Sequence, residues 1–494
     1  MMPLRSILAL AILALPIIGG LLHAEEVEYV WDITIEVNQG DPLANDGDPT
    51  TPFRTIQAAA TNALGFARAG KSVRVLIEPG VYREAVTLRG KVNEVNAAIK
   101  FEGTDPGHVV LNGTQVVDGW DIGDYDIFEL PWTPTKTNPT IYCEGARLVE
   151  APSPQQVRQG QVCFVRGEEP KIYLLPPKGG VVKAGTIEVS RQDAGIQSRD
   201  VDGLYLESLA FERGFAAAID IQGGDGLILN NIAVEYCHGD GVRAADLEQV
   251  RIRRLIVDRC GGNGIVLRGL GKLAMSGAEA KLNNWSDQTT ELAGVSLERC
   301  GAVKVWSLKT SENHGAGLCL QGNGPAQLAK ITALNNGVGI VTRNSTDLAT
   351  FSESQIAYNT GDGLVVDGAA AYLMANVFYG NGDAQIELAP GNSACELQIS
   401  RNILVARKGE LLIDVAAKEH AILAEKNLYE APDKKPFRAL GQKLTFAQWQ
   451  EIAGLDLDSY QGEAKLLEPE NYGFTPTPQS PYFKMSQWPV RKLD

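Results

Sequence analysis

Hydrophobic and polar positions alternate in eight seven-residue blocks between residues 215 and 388. The fifth and seventh residues of a block are almost always apolar while the sixth varies, as in Ile219, Asp220 and Ile221. Such alternation predicts a strand with one buried and one exposed face. The blocks start at residues 215, 238, 261, 291, 314, 336, 360 and 382. Recurrence every 22 to 24 residues, apart from one interval of 30, predicts a solenoid.

The repeat converts block position into distance, because equal positions in successive coils stack about 4.8 Å apart. This spacing places Asp220 beside Arg243 on the outward side of the strands, and Glu291 beside His314 at the first block position. A glycine at the fourth position of six blocks predicts a bend into the strand. Four asparagines that each precede a block predict a hydrogen-bonded ladder along the axis: Asn313, Asn335, Asn359 and Asn381.

The rest of the chain is organised around this solenoid. Residues 1–24 contain an apolar run behind Arg5 and are typical of a secretory signal peptide. Export to the periplasm or the extracellular space is therefore predicted, with no membrane span after cleavage. The predicted domains are an N-terminal cap with first coils over 25–115, an inserted small β domain over 116–185, β-helix coils over 186–430 and a C-terminal cover over 431–494.

Two short helices are predicted as covers for the open ends of the stack, where exposed coils would leave unpaired strand edges. The first follows Pro52 and ends at Gly70. The second begins behind Thr445 as N-cap and stops at Gly454.

Charge and cysteine content narrow the functional classes. The net charge of −15 argues against non-specific nucleic-acid binding and against anionic membrane surfaces. Seven cysteines are an odd number for an exported chain. Cys237 and Cys260, one repeat apart, lie within disulfide range, although two buried core residues are favoured. Cys143 and Cys163 are an alternative pair.

The segments PFRTIQAAA and VLIEPGVYRE resemble the opening of right-handed parallel β-helix proteins of the pectate-lyase-like superfamily. The internal repeats resemble the same group. An early insertion, with the stretches DGW and EGARLVEA, is similar to β-helix glycosidases, such as a β-xylosidase family, that carry an inserted β-sandwich. The resemblance implies an all-β, right-handed parallel β-helix with short capping helices, and a polysaccharide or oligosaccharide as its partner.

Candidate catalytic residues surround the single 30-residue interval: Glu291, His314, Asp220, Arg243, Asp240 and His238. A carboxylate stacked beside a histidine would raise the imidazole pKa. A surface salt bridge is the plainer interpretation of the pair formed by Asp220 and Arg243. Trp285 and Asp287, in the surplus loop, are candidate substrate-binding residues because loops that bulge from a solenoid often carry sites.

The predicted function is that of an exported polysaccharide-active protein, a glycoside hydrolase working in a groove along the β-helix. Paired carboxylates suit hydrolysis, whereas β-elimination by a lyase needs a base and a cation beside a uronate. A pectate-lyase-type polysaccharide lyase and a non-catalytic glycan-binding or surface protein are the alternatives. No metal ligands or other cofactors are predicted. Calcium at Asp41, Asp46 and Asp48 is a weaker hypothesis than an ordinary polar turn.

Overall fold

The structure, a computed structural model, describes residues 30–48, 50–90, 97–123, 126–133, 138–190, 194–285, 292–389, 393–417, 420–453 and 456–483. Within these residues, parallel strands stack into a solenoid with three faces, numbered 1 to 3 in the order in which the chain follows them within a coil. The predicted signal peptide lies outside the described residues. No helix in the described part of the chain is long and apolar enough to cross a membrane.

Face 1 contains the strands predicted from the seven-residue blocks. Its strands, in stacking order, are Val86–Arg89, Ala194–Arg199, Ala217–Gln222, Asp240–Ala245, Ile265–Arg268, Ala293–Glu298, Ala316–Gln321, the first parts of Val338–Ser352 and Leu364–Met374, then Ala384–Leu388, Leu411–Val415 and Phe437–Ala439. Gln442–Leu444 closes this face as an antiparallel partner of Phe437–Ala439. The parallel register confirms the predicted solenoid.

Faces 2 and 3 complete each coil. Face 2 contains Ile33–Val37, Val73–Ile77, Ile99–Gly103, Leu204–Glu207, Ala326–Ala329, Glu396–Ser400 and Ala421–Glu425, and the second parts of Val338–Ser352 and Leu364–Met374. Face 3 contains Gly80–Tyr82, Val109–Asn112, Ala210–Glu212, Thr332–Leu334, Gln355–Ala357, Val377–Tyr379, Ile403–Val405, Leu428–Glu430 and Tyr460–Gln461. Four long strands bend from face 2 into face 3: Gly226–Glu235, Gln249–Asp258, Lys272–Lys281 and Ala302–Ser311.

Two further sheets form the insertion. The four-stranded sheet contains Thr114–Val116, Ile141–Cys143, Ala146–Arg147 and Ile187–Ser190, and the five-stranded sheet contains Asp121–Ile122, Phe128–Pro131, Val149–Glu150, Gln161–Val165 and Lys171–Leu175. Their shared core is separate from that of the solenoid. Because the insertion leaves face 3 after Val109–Asn112 and returns on face 1 at Ala194–Arg199, it replaces the corner between faces 3 and 1 in that coil.

Helices lie at both ends, as predicted. Ile56–Arg68 begins at the N-cap Thr55, whose side chain accepts a hydrogen bond from the Ala58 amide, and packs its alanine-rich side on the first coils. At the other end, Phe446–Ala453 begins behind Thr445, whose hydroxyl accepts from the Gln448 amide at 3.3 Å. Short 3-10 turns occupy Pro154–Gln156, Asp456–Asp458 and Pro469–Asn471.

An asparagine ladder follows the corner between faces 3 and 1. It agrees with the prediction except in one coil, where Asn336 takes the place of Asn335. The side-chain amide of Asn313 donates to Asn336 at 2.8 Å, and that of Asn336 donates to Asn359 at 3.2 Å. The predicted Asn335 instead adopts a left-handed φ of 55° and donates to the Tyr472 hydroxyl. The choice of Asn335 was therefore wrong, because the turn rotates its side chain out of the ladder.

The close stacking of the coils gives a better reason for the fourth-position glycines than a bend. A Cβ at Gly339 would lie 2.4 Å from the Gly363 carbonyl oxygen, and one at Gly363 would lie 2.6 Å from the Gln385 carbonyl oxygen. Close approach of the neighbouring coil's backbone therefore requires glycine at these positions.

All seven cysteines are buried free thiols. Cys237 and Cys260 lie in neighbouring coils and form no disulfide, which agrees with the favoured core interpretation. The alternative pair of Cys143 and Cys163 is not bonded either.

Candidate functional site

One outward ladder runs along face 1 from its third strand to its last parallel strand. Its residues are, in stacking order, Asp220, Arg243, Val266, Ser296, Cys319, Val341, Val365, Glu387, Asp414 and Arg438. The predicted stacking of equal block positions is thereby confirmed. The ladder is polar at both ends and largely apolar in between, where Ser296, Cys319 and Val341 are buried.

Additional segments flank both polar ends of this ladder at the corner between faces 3 and 1. Near the N-terminal end, the insertion contacts the coils through Thr140, whose hydroxyl lies 2.9 Å from His238 Nδ1. Near the C-terminal end, the Tyr358 hydroxyl donates to the Pro469 carbonyl at 3.0 Å and the Tyr379 hydroxyl donates to Glu470 at 3.1 Å. At both of its ends, face 1 is therefore bordered by an additional segment of the chain along its edge with face 3.

The predicted acidic and basic residues of the N-terminal end form ion pairs, but not the expected one. Asp220 accepts from Arg199 at 2.8 Å, although its register neighbour is Arg243. Arg243 lies 3.2 Å from Asp240. The expected salt bridge between Asp220 and Arg243 is therefore wrong, because each residue has a partner of its own on the same face.

Two other predicted residues are also held by local contacts. The Asp240 carboxylate accepts a hydrogen bond from the Asn263 amide at 2.7 Å. The pKa of His238 is lowered, first by burial and second by the positive charge of Arg147. His238 is therefore neutral at pH 7, and its Nδ1 is already engaged by Thr140.

Of the predicted pair of Glu291 and His314, the structure describes only His314. Glu291 and Asp287 lie outside the described residues, so their roles stay predictions. His314 is exposed, and its backbone amide donates to the Asn283 carbonyl at 3.3 Å.

Trp285, predicted to bind substrate, is positioned by two partners. Its indole Nε1 donates to the Arg259 carbonyl at 2.8 Å. The guanidinium of Arg147, from the insertion, lies 3.3 Å from the centre of the Trp285 ring. The Trp285 indole therefore holds the Arg147 guanidinium in place. The repeat pattern did not predict this contact.

The C-terminal end of face 1 holds a pair of carboxyl groups that sequence reasoning missed. Burial, and next the negative charge of the neighbouring Asp362 side chain, raise the pKa of Glu387 to about 7. Burial likewise raises the pKa of Asp362, whose carboxyl also accepts from the Ala384 amide at 2.9 Å. A carboxyl with a pKa near the operating pH can both give and take a proton.

An ion pair lies directly beyond this carboxyl pair. Asp414 stacks on Glu387 in register, and Arg438 stacks on Asp414. The Arg438 guanidinium donates through Nε to Asp414 at 2.8 Å and through a second nitrogen to the other carboxylate oxygen. Asp414 is a further negative charge beside Glu387 and helps to raise its pKa, while Arg438 lowers it.

The repeat pattern explains why the pair of Glu387 and Asp362 was not predicted from the sequence. Comparing equal block positions sets Glu387 against Val365, which carries no chemistry. Asp362 is the third residue of its block, and Glu387 is the sixth residue of the next. Because both positions face outward, pairing the third position of one block with the sixth of the next could have found this site.

The possible calcium ligands in the N-terminal loop are engaged within their own turn. Asp46 accepts from the Arg54 amide at 2.7 Å, and Asp48 accepts from Thr50 at 2.9 Å. Asp41 accepts from the Leu43 amide at 2.8 Å. Among the described residues, no three His, Cys, Asp or Glu side chains are grouped as metal ligands would be.

Comparison with known proteins identifies the fold. A family model described as a right handed beta helix region matches residues 276–404. The structure of XylC in complex with xylose aligns with 88% of this chain and 87% of its own, with a TM-score of 0.60 and 12% identity. The fold is a right-handed parallel β-helix. Because the sequence identity is this low, the similarity to XylC shows a shared fold and nothing further.

Two further solved structures align over most of the β-helix with lower scores. One is named a glycoside hydrolase and covers 86% of this chain and 99% of its own, at 10% identity and a TM-score of 0.43. The other is the A-module of the Azotobacter vinelandii mannuronan C-5 epimerase AlgE4, which covers 83% and 96% at 11% identity and a TM-score of 0.42. Comparison with curated protein sequences finds no match.

Proposed function

We propose that this β-helix is an exported glycoside hydrolase in which Glu387 is the general acid. The observation that carries the proposal is the pair of neighbouring carboxyl groups of Glu387 and Asp362 on the outward side of face 1, with the Glu387 pKa at about 7. Glycoside hydrolysis needs one carboxyl that is protonated at working pH and one that is ionised. The fold that this chain shares with XylC, a protein whose structure contains xylose, is compatible with a saccharide ligand.

In this proposal the two carboxyl groups divide the work through a shared proton. Two carboxyls in contact cannot both ionise without repulsion, so near neutral pH one of them holds the proton. Glu387 gives its proton to the glycosidic oxygen as the bond to the leaving sugar breaks. Asp362, as the carboxylate, takes a proton from the water molecule whose oxygen bonds to the anomeric carbon.

Activity on purified polysaccharides tests the proposal. Neutral and acidic plant and algal polysaccharides are incubated with the protein, and both reducing ends and the ultraviolet absorbance of unsaturated uronates are followed. Hydrolysis releases reducing ends without that absorbance. Glu387→Gln and Asp362→Asn should each lower the rate by about a hundredfold or more, since general acid–base catalysis contributes about 10²- to 10⁴-fold.

The exposed Glu396, on face 2, provides a matched control. Glu396→Gln should retain the wild-type rate. A wild-type rate in Glu387→Gln would remove Glu387 as the acid. Absorbance of unsaturated uronates would favour a polysaccharide lyase, and binding without either product would favour a glycan-binding β-helix.

A further inference from the structure

The junction between the insertion and the coils is a second chemically distinct place on the molecule. We define it by Arg147 and Thr140 on the insertion and by Trp285 and His238 on the coils. Arg147 lies on the Trp285 ring at 3.3 Å, and the His238 ring meets the same indole edge-on at 6.3 Å. The residue Arg147 is exposed as a whole, while one face of its guanidinium rests on the indole.

Arg147 differs from the arginines around it in having no carboxylate partner among the described residues. The neighbouring arginines all form ion pairs: Arg199 with Asp220 at 2.8 Å, Arg213 with Glu188 at 2.9 Å and Arg243 with Asp240 at 3.2 Å. Within the described part of the chain, the structure gives the Arg147 guanidinium neither an ion pair nor a hydrogen bond. His238, whose ring meets the same indole, is neutral at pH 7 and adds no charge of either sign.

An uncompensated guanidinium is chemically unusual in a chain with a net charge of −15. The indole fixes the plane of the guanidinium by a cation–π contact but satisfies none of its N–H groups. These groups lie in a planar fork that matches a carboxylate or a sulfate with two parallel hydrogen bonds. The arrangement is preorganised for such an anion, because the side chain is already held in place.

We infer that the junction is a binding subsite for the anionic group of an acidic polysaccharide, with Arg147 as the residue that contacts the carboxylate or sulfate. The inference rests on the proposed function, since it names the substrate class of the same face. Trp285 and Glu387 belong to coils four steps apart, which is about 19 Å at the spacing of parallel strands. The bound anionic sugar is therefore several units away from the bond that is cleaved, so the substrate is a polymer rather than a simple glycoside.

Direct binding measurements test this subsite apart from catalysis. Calorimetric titration in the Glu387→Gln background, where turnover is suppressed, uses three sets of oligosaccharides of matched length: uronate-containing, sulfated and neutral. The uronate and sulfated arms identify which anion is bound. Arg147→Gln should weaken binding of the preferred anionic oligosaccharide about ten- to a hundredfold, as expected for a charge-assisted hydrogen-bonded pair, and neutral binding less than threefold.

Two further variants separate recognition from loss of structure. Arg166→Gln is the matched control. Like Arg147, Arg166 belongs to the insertion and lies over a tryptophan ring, that of Trp132 at 5.5 Å, but it also donates a hydrogen bond to Asn138. Arg166→Gln should leave anionic binding unchanged. Arg147→Lys keeps the charge without the planar fork and should give an intermediate affinity. Thermal melting of each variant shows whether the insertion still folds.

Equal affinity of the wild-type protein for anionic and neutral oligosaccharides would overturn the inference. So would an equal loss of both on Arg147→Gln. Anionic selectivity without any hydrolysis would instead remove the proposed function and leave the subsite in a binding protein.

Discussion

Protonation of Glu387 in the folded protein should make stability depend on pH in a specific way. The group has a pKa of about 7 in the folded state against an ordinary value of 4.5. A carboxyl with a raised folded pKa binds its proton more tightly when folded. Its stabilising effect is therefore full below pH 4.5, is lost as the pH rises to about 7, and stays lost above that value.

The magnitude follows from the same two values. A rise from 4.5 to about 7 corresponds to about 3 kcal/mol between low and high pH. Glu387 is only half-buried and shares its proton with Asp362, so water and coupling reduce this figure to between about 1 and 3 kcal/mol. Glu387→Gln removes the ionisation altogether. Relative to wild type, the variant should gain this amount between pH 4 and pH 8.

Urea unfolding at pH 4, 5, 6, 7 and 8 measures the difference. The free energies of unfolding of wild type and Glu387→Gln should diverge with rising pH, most steeply between pH 5 and 7, with the variant becoming relatively more stable. Glu396→Gln serves as the control for loss of one carboxyl at an exposed position. Parallel curves separated by a constant offset would refute the reasoning, because they would show that Glu387 titrates alike in both states.

Three other outcomes are expected. Arg438→Gln should move the basic limb of the pH–rate profile to higher pH, since Arg438 lowers the pKa of Glu387; an unmoved limb would contradict this. Asn336→Ala should lower the free energy of unfolding by about 2 to 3 kcal/mol in urea, because buried ladder groups lose their partners. Asn335→Gly, which suits the left-handed backbone there, should cost much less. Ellman's reagent should detect the seven thiols only after unfolding, and fast reaction of the native protein would count against their burial.

The fold was accessible from sequence because the pattern that defines it is local. Alternation of Ile219, Asp220 and Ile221 fixes which side chains face inward, and repetition sets the stacking of coils. Both follow from the strand period of two and from the constant spacing of parallel strands. The outward ladder through Asp220 and Arg243 was predicted in register for the same reason.

The candidate site was harder to predict from sequence than the fold. The partner of a side chain depends on the direction in which the side chain points as well as on the coil to which it belongs. Asp220 and Arg243 stack as expected, yet Asp220 pairs with Arg199. The pairing of Glu387 with Asp362 joins different positions of successive blocks, which a comparison of equal positions does not test.

The sequence by itself determined the solenoid, its inward and outward faces and the existence of an insertion and covers, since each depends on short-range periodicity or composition. Only the tertiary structure decided which polar groups share a proton and where Arg147 lies. Arg147 is 138 residues before Trp285 in the chain, and no repeat relates the two. Their contact depends on how the insertion packs on the corner of the coils, and burial at the other end of face 1 sets the pKa of Glu387.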